Sequence, residues 1–285
     1  LGAVAAAAFL IGIVVGAGSS GGGAPGRRVA RGPASYFVRL ERLAGAGAGS
    51  FAAVQRREEN AAIDRTLAYT PYVRIAGSQH REIAITFDDG PGPYTLHLLR
   101  VLDRFEIPAT FFEVGIAEQY FHAGTAAIVA HDDPIGDHTE THPPMSQLSR
   151  KQQRDQLLQE AAAIGRYGAP FPRMFRPPYG LWNSTTLALL KQERMLMVLW
   201  TVDTSDYELP GASVIVHRVL AGARPGAIIL MHDAGGNRSE TIAALPRIIK
   251  GLRARGYKLV TVPRLLLDNP APRDQDVAGL AGAGG

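Results

Sequence analysis
The stretch Ile83-Ala84-Ile85-Thr86-Phe87-Asp88-Asp89-Gly90-Pro91-Gly92-Pro93 limits what this chain can fold into more than any other part of it. Its first residues are apolar, β-branched or aromatic and read as a buried strand. The run then stops on two adjacent carboxylates and a Gly-Pro-Gly-Pro break that no strand continues through. In α/β folds, ligands and chemistry sit just past the carboxyl ends of the strands. Asp88 and Asp89 would therefore hang at the mouth of a site, side by side and aimed in different directions. Two such neighbours can divide two tasks, one holding a metal and the other moving a proton. Asp-Asp-Gly-Pro is also ordinary turn chemistry, so the rest of the chain decides between turn and site.

Between residues 83 and 267, strand-like runs alternate with amphipathic stretches. The patterning predicts strands at 83–87, 109–114, 173–176, 195–202, 226–232 and 257–262. It predicts helices at 95–105, 116–130, 149–167 with Ser149 as the cap, 184–192, 211–220 and 241–253. Such alternation gives an α/β fold with a parallel sheet, open or closed on itself. About seven strand-helix units favour an incomplete (β/α) barrel.

The ends of the chain are of a different kind. Residues 1–18 are apolar, carry no charge and lie at the edge of membrane-spanning length. A Gly/Ser/Ala/Pro linker follows. We expect a membrane anchor or signal segment over 1–18 and a linker and juxtamembrane region over 19–80, including a helix at 51–67. The catalytic domain then covers 81–268, and a disordered tail covers 269–285. An exported, cell-surface protein, either anchored or secreted, follows from this layout. The chain has no Cys, which excludes thiolate metal sites, thiol nucleophiles and disulfides. Any metal must be held by His, Asp or Glu. With a net charge of +4 and no long Lys/Arg run, there is no nucleic-acid footprint, and no protein partner is evident.

Four further clusters follow predicted strands. Asp137-His138-Thr139-Glu140-Thr141-His142 places two His four residues apart, on one helix face or in a tight loop, as a bidentate metal grip. With Asp89 they make a His/His/carboxylate set with a fourth position open, the pattern of a catalytic zinc site. In Phe175-Arg176-Pro177-Pro178-Tyr179-Gly180, the Arg176 fork can hold a carboxylate and the amide N–H of Tyr179 can serve an oxyanion. Asp203-Thr204-Ser205-Asp206-Tyr207 again sets carboxylates after a strand. Leu230-Met231-His232 ends a hydrophobic strand on a possible proton donor.

Thr86 to Pro91, His138 to His142, Arg176 to Tyr179, Asp203 to Tyr207 and Leu230 to His232 resemble, in order, the five motifs of polysaccharide deacetylases. These are the NodB-homology proteins of carbohydrate esterase family four. The resemblance implies their incomplete barrel and metal-dependent hydrolysis of N-acetyl groups on a β-linked amino-sugar polymer. It implies Asp89, His138 and His142 as ligands of a divalent metal, Zn2+ foremost, with Co2+, Ni2+ or Mn2+ also acceptable to such a set. Asp88 would be the general base, Arg176 its orienting partner and His232 the acid that protonates the leaving amine. Asp206, or as second choice Asp203, would tune His232. Pro177, Tyr179 and Tyr207 would face the substrate.

Two positions depart from the family pattern. Asp137 stands where Asn is common and would add negative charge beside the metal, and Tyr207 stands where Trp is usual. An exported hydrolase with a membrane tether points to cell-wall peptidoglycan, then to chitin-type oligomers. The competing expectations are an O-acetyl xylan esterase of the same family and a catalytically silent wall-binding module.

Overall fold
The structure is a computed structural model and describes residues 51–276. The expectations for residues 1–18, for the linker up to residue 50 and for the tail beyond 276 lie outside the described residues. The chain runs α1 (Phe51–Leu67), β1 (Tyr72–Val73), β2 (Glu82–Gly90), α2 (Thr95–Phe105), β3 (Thr110–Glu113), α3 (Glu118–His131) and β4 (Ile135–Asp137). It continues through α4 (Arg150–Gly165), β5 (Met174–Phe175), α5 (Ser184–Glu193), β6 (Leu196–Val198), β7 (Val202–Asp203) and α6 (Ala212–Gly222). β8 (Ile228–His232), α7 (Ser239–Ala254), β9 (Lys258–Val260) and α8 (Val262–Asp268) follow.

The strands pair in parallel in the order β1-β6-β5-β4-β3-β2-β8-β7, with β9 on the start of β2. The run 195–202, expected as one strand, is two. β7 ends that order and β6 lies next to its other end, beside β1, although only Leu199, Trp200 and Thr201 separate them. The sheet therefore curls until its two edges nearly meet. Across the seam the Thr201 hydroxyl donates to Arg74 O at 2.6 Å and the Ala76 N–H donates to Gly226 O at 2.8 Å. An antiparallel bridge pairs Ile75 with Ala227 at the same place. This is the incomplete α/β barrel that the sequence predicted.

Period-two alternation divides β2 between two cores. Ile83, Ile85 and Phe87 pack outward with Leu98 and Leu102 of α2, Ile215 and Val219 of α6, and Ile248 and Leu252 of α7. Ala84 packs inward with Phe112, Met174, Leu196, Val198, Ile228 and Val260, and Thr86 and Asp88 share its face. The same parity on β8 sets His232 on the inner face with Ile228. A third cluster of Phe175, Met197, Leu199, Leu157 and Leu189 lies under α4 and α5. Ser149 caps α4 as expected, in a reciprocal box with Gln152.

Segments read as lying outside the domain close the bottom of the barrel. Ala62 and Ile63 of α1 and Val73 of β1 pack with Leu265 and Leu266 of α8. The Asn269 side chain bonds Glu82 Oε2 at 2.9 Å and accepts the His80 N–H at 2.6 Å. Gln275 Oε1 accepts the N–H groups of Arg74 and Ile75. The linker reading is thus corrected over 51–80, and the tail reading over 269–276. Among the described residues no helix is long and apolar enough to cross a membrane. A chain beginning at Glu82 would lose the burial of Ile63 and Val73, each of which contributes about 1.5–3 kcal/mol. Such a shortened chain is expected to unfold at markedly lower urea concentration, with the midpoint read by circular dichroism.

Candidate active site
Parallel register delivers the functional side chains to one rim. Asp88 pairs with His232 on β8 and with Phe112 on β3. Asp137 at the end of β4 pairs with Phe175 at the end of β5, so His138 and Arg176 emerge side by side. The two His form a tight loop rather than a helix face. Thr139 and His142 adopt left-handed backbone, at φ 74° and 57°. The Thr139 N–H is held by Asp137 Oδ1 at 2.7 Å, and the His142 N–H by Thr139 Oγ1 at 2.9 Å.

Asp89, His138 and His142 converge. Asp89 Oδ1 lies 3.2 Å from His142 Nε2 and 3.6 Å from His138 Nε2, and the two Nε2 atoms are 3.2 Å apart. His138 Nδ1 lies 2.6 Å from Arg176 O. A carbonyl only accepts, so Nδ1 carries the proton and the Nε2 lone pair faces Asp89. Burial alone would raise the Asp89 carboxyl, but the two imidazoles hold it well below the ordinary carboxylate range. Its buried Oδ1 nevertheless makes no well-aligned hydrogen bond. Three donor atoms within 4.8 Å of one another, one buried and unsatisfied, fit a divalent cation.

Asp88 stands beside this set, with Oδ2 3.8 Å from His138 Nε2. Its Oδ1 accepts Arg176 Nη1 at 2.6 Å. Arg176 is fully buried inside the barrel. Its other hydrogen bonds go to Val198 O at 3.0 Å, Thr86 Oγ1 at 2.7 Å and Leu199 O at 3.4 Å, and its guanidinium lies 4.1 Å from the Phe112 ring centre. Burial lowers the Arg176 pKa, while Asp88 raises it again. An ion pair this well satisfied holds its carboxylate in one place.

On the far side, His232 Nδ1 meets Asp206 Oδ1 at 2.7 Å, and the His232 N–H donates to Asp206 Oδ2 at 2.9 Å. Thr241 donates its hydroxyl to the same carboxylate at 2.7 Å, while the Thr204 hydroxyl donates to Leu230 O at 2.8 Å. Burial would lower the His232 pKa, yet Asp206, helped by Asp89 and Asp88, pushes it up to about 9. Burial likewise works against the Asp206 charge, and His232 with these hydrogen bonds keeps its pKa low.

Asp203 stands apart: it is exposed, and its Oδ1 accepts the Ser205 N–H at 2.7 Å. Tyr179, at φ 58°, sets its ring edge-on to His142 at 4.7 Å, after the buried Pro177. The Tyr207 ring meets His232 at 5.4 Å. Burial lifts the Asp137 carboxyl well above the usual range, next to the buried Glu160, which works against the negative charge expected of it. The sequence assigned no role to Thr86, Thr204 or Thr241. Thr86 alone carried a signal, two residues before Asp88 on the same strand face.

A half-closed barrel with a His/His/Asp donor set between a held carboxylate and an imidazole of raised pKa is the apparatus of a hydrolase. The family model for polysaccharide deacetylases matches residues 76–198. A chitooligosaccharide deacetylase of a Bradyrhizobium species is 36% identical over 208 residues, covering 68% of this chain and 94% of that one. A peptidoglycan-N-acetylglucosamine deacetylase of Bacillus cereus is 36% identical over 187 residues, covering 65% and 87%. The crystal structure of a peptidoglycan N-acetylglucosamine deacetylase superposes with a TM-score of 0.68 at 28% identity, covering 74% of this chain and 99% of that one. The chain belongs to the polysaccharide deacetylases, the NodB-homology proteins of carbohydrate esterase family four.

Proposed function
We propose that this protein is a zinc-dependent N-deacetylase of a β-linked amino-sugar polysaccharide, with peptidoglycan the first candidate and chitin-type oligomers the second. The observation that carries this reading is the Asp89, His138 and His142 donor set flanked by the Asp88–Arg176 and His232–Asp206 pairs. The named activities of the similar proteins support the substrate class. A divalent ion held by the three ligands supplies water activation and polarisation of the acetyl carbonyl.

The chain's own residues do the rest. Asp88 accepts the proton of the attacking water at Oδ2, the oxygen that Arg176 does not engage. An amide nitrogen leaves only as an amine, so it needs a proton, and His232 donates it from Nε2 while Asp206 holds Nδ1. Intact proton carriers on both sides favour an enzyme over a silent wall-binding module. The Tyr179 N–H is assigned to the oxyanion, and the Tyr179 and Tyr207 rings to the walls of the sugar site. We place the protein at the cell surface, exported by way of its apolar residues 1–18.

The test is acetate release by the full chain, metal-stripped and then restored with Zn2+, Co2+, Ni2+ or Mn2+, on peptidoglycan and on chitooligosaccharides. Metal-dependent release is expected from at least one of the two. Release from acetylated xylan alone would select the esterase. No release from any of the three, with metal bound, would select the silent module.

A further inference from the structure
The turn after β2 is backed by the turn after β8, and two side chains in that contact take no part in the chemistry above. Asp233 is fully buried directly after His232, and its Oδ2 accepts the Thr95 hydroxyl. Thr95 Oγ1 in turn accepts the Gly92 N–H at 2.8 Å, and the Asp233 N–H reaches Asp88 O at 3.2 Å. These bonds tie both sides of the Asp88-Asp89-Gly90-Pro91-Gly92 turn to α2 and β8.

The two turns also interlock. A Cβ added to Gly90 would stand 2.7 Å from both Asp233 oxygens, and one on Gly235, at φ +70°, would stand 2.3 Å from Asp89 Oδ2. Arg238 holds the second turn by donating to Ala234 O at 2.6 Å and Gly235 O at 3.0 Å. At the centre is Asp89 at φ 72°, a left-handed backbone that a non-glycine residue keeps only when its surroundings over-determine it. Burial, with Asp89 and Asp88 nearby, pushes the Asp233 carboxyl up to about 7. A third carboxyl is costly here, and what it contributes is the grip on Thr95.

We infer that Asp233 and Thr95 are positioning residues: their hydrogen-bonded pair holds the Asp89 turn so that its carboxylate meets His138 and His142 already aimed for a divalent cation. The inference rests on the function proposed above, and the side chains act only through Asp89.

The experiment titrates Zn2+ into the metal-stripped full chain against a chromophoric chelator, alongside metal-free melting curves. Thr95→Val keeps the volume and removes the hydroxyl, and should weaken zinc binding at least about tenfold. Thr95→Ser, and Asp233→Asn with its remaining acceptor, should stay within about threefold of the parent, well short of the loss expected when a supporting partner is removed. Unchanged zinc affinity in folded Thr95→Val overturns the inference, even if its melting temperature falls, because that is what a merely structural role predicts. A parent chain that binds zinc but releases no acetate overturns the proposed activity instead, and the affinity series still decides the positioning role.

Discussion

Asp88→Asn is expected to keep its metal and lose its turnover. The substitution is isosteric, and Asn Oδ1 can still accept Arg176 Nη1, which now sits 2.6 Å from Asp88 Oδ1. Arg176 also keeps its bonds to Thr86, Val198 and Leu199, so the barrel interior stays assembled. What disappears is the carboxylate oxygen beside the ligand set that faces the attacking water. General base catalysis contributes about 10²–10⁴-fold, so kcat should fall by about a thousandfold while zinc affinity stays close to the parent value. His138→Ala should do the opposite in kind. It deletes a donor whose Nε2 is aimed by the bond from Nδ1 to Arg176 O, so metal and turnover are lost together. Equilibrium dialysis for zinc beside an acetate assay separates the two. Equal metal loss in both variants would remove the division of labour between Asp88 and Asp89.

Much of this site was legible in the sequence because strand ends are local features. A buried run that halts on Asp88-Asp89-Gly90-Pro91 announces both its class and its polarity, and the order of the later motifs supplied the rest. What stayed hidden depended on curvature and long-range contact. Nothing in residues 195–202 marks the point where the chain leaves β6, next to one edge, and starts β7 on the other edge. That break follows from closing the barrel. Asp206 was preferred to Asp203, but the local pattern shows no reason for it, since both sit at the same strand end. A turn with Ser205 at φ 45° sends Asp206 inward and leaves Asp203 to cap it. Helix α1 was misplaced because its faces are mostly charged, and the apolar contact it makes through Ala62 and Ile63 is narrow. Thr95 and Asp233 looked like ordinary helix and strand-end residues until the fold set them in contact.

The second large effect belongs to the proton donor, and its sign can be worked out. His232 rises from an ordinary 6.5 to about 9, although burial alone would lower it, because Asp206 faces it at 2.7 Å. An acid with that pKa stays protonated through neutral pH, so activity should hold there and fall on the alkaline side. A bound cation offsets the help from Asp89 and Asp88, which brings the alkaline limb below 9 but leaves the Asp206 share intact. Asp206→Asn removes that share and keeps the burial. The limb should then move down by one to two units, about the size that loss of a close opposite charge produces. At pH 7 kcat should fall by about two- to tenfold, because a larger share of the imidazole is then neutral when the amine must leave. Stability follows the same linkage. The raised His232 pKa contributes stability that is complete below 6.5 and is lost as pH rises through about 9. The lowered Asp206 pKa contributes above 3.8 and is lost as pH falls through its folded value. Parent and Asp206→Asn should therefore differ most in urea unfolding near pH 6 and converge towards pH 10. A pH–rate profile that does not move in the variant would show that Asp206 merely packs against His232 and does not set its proton.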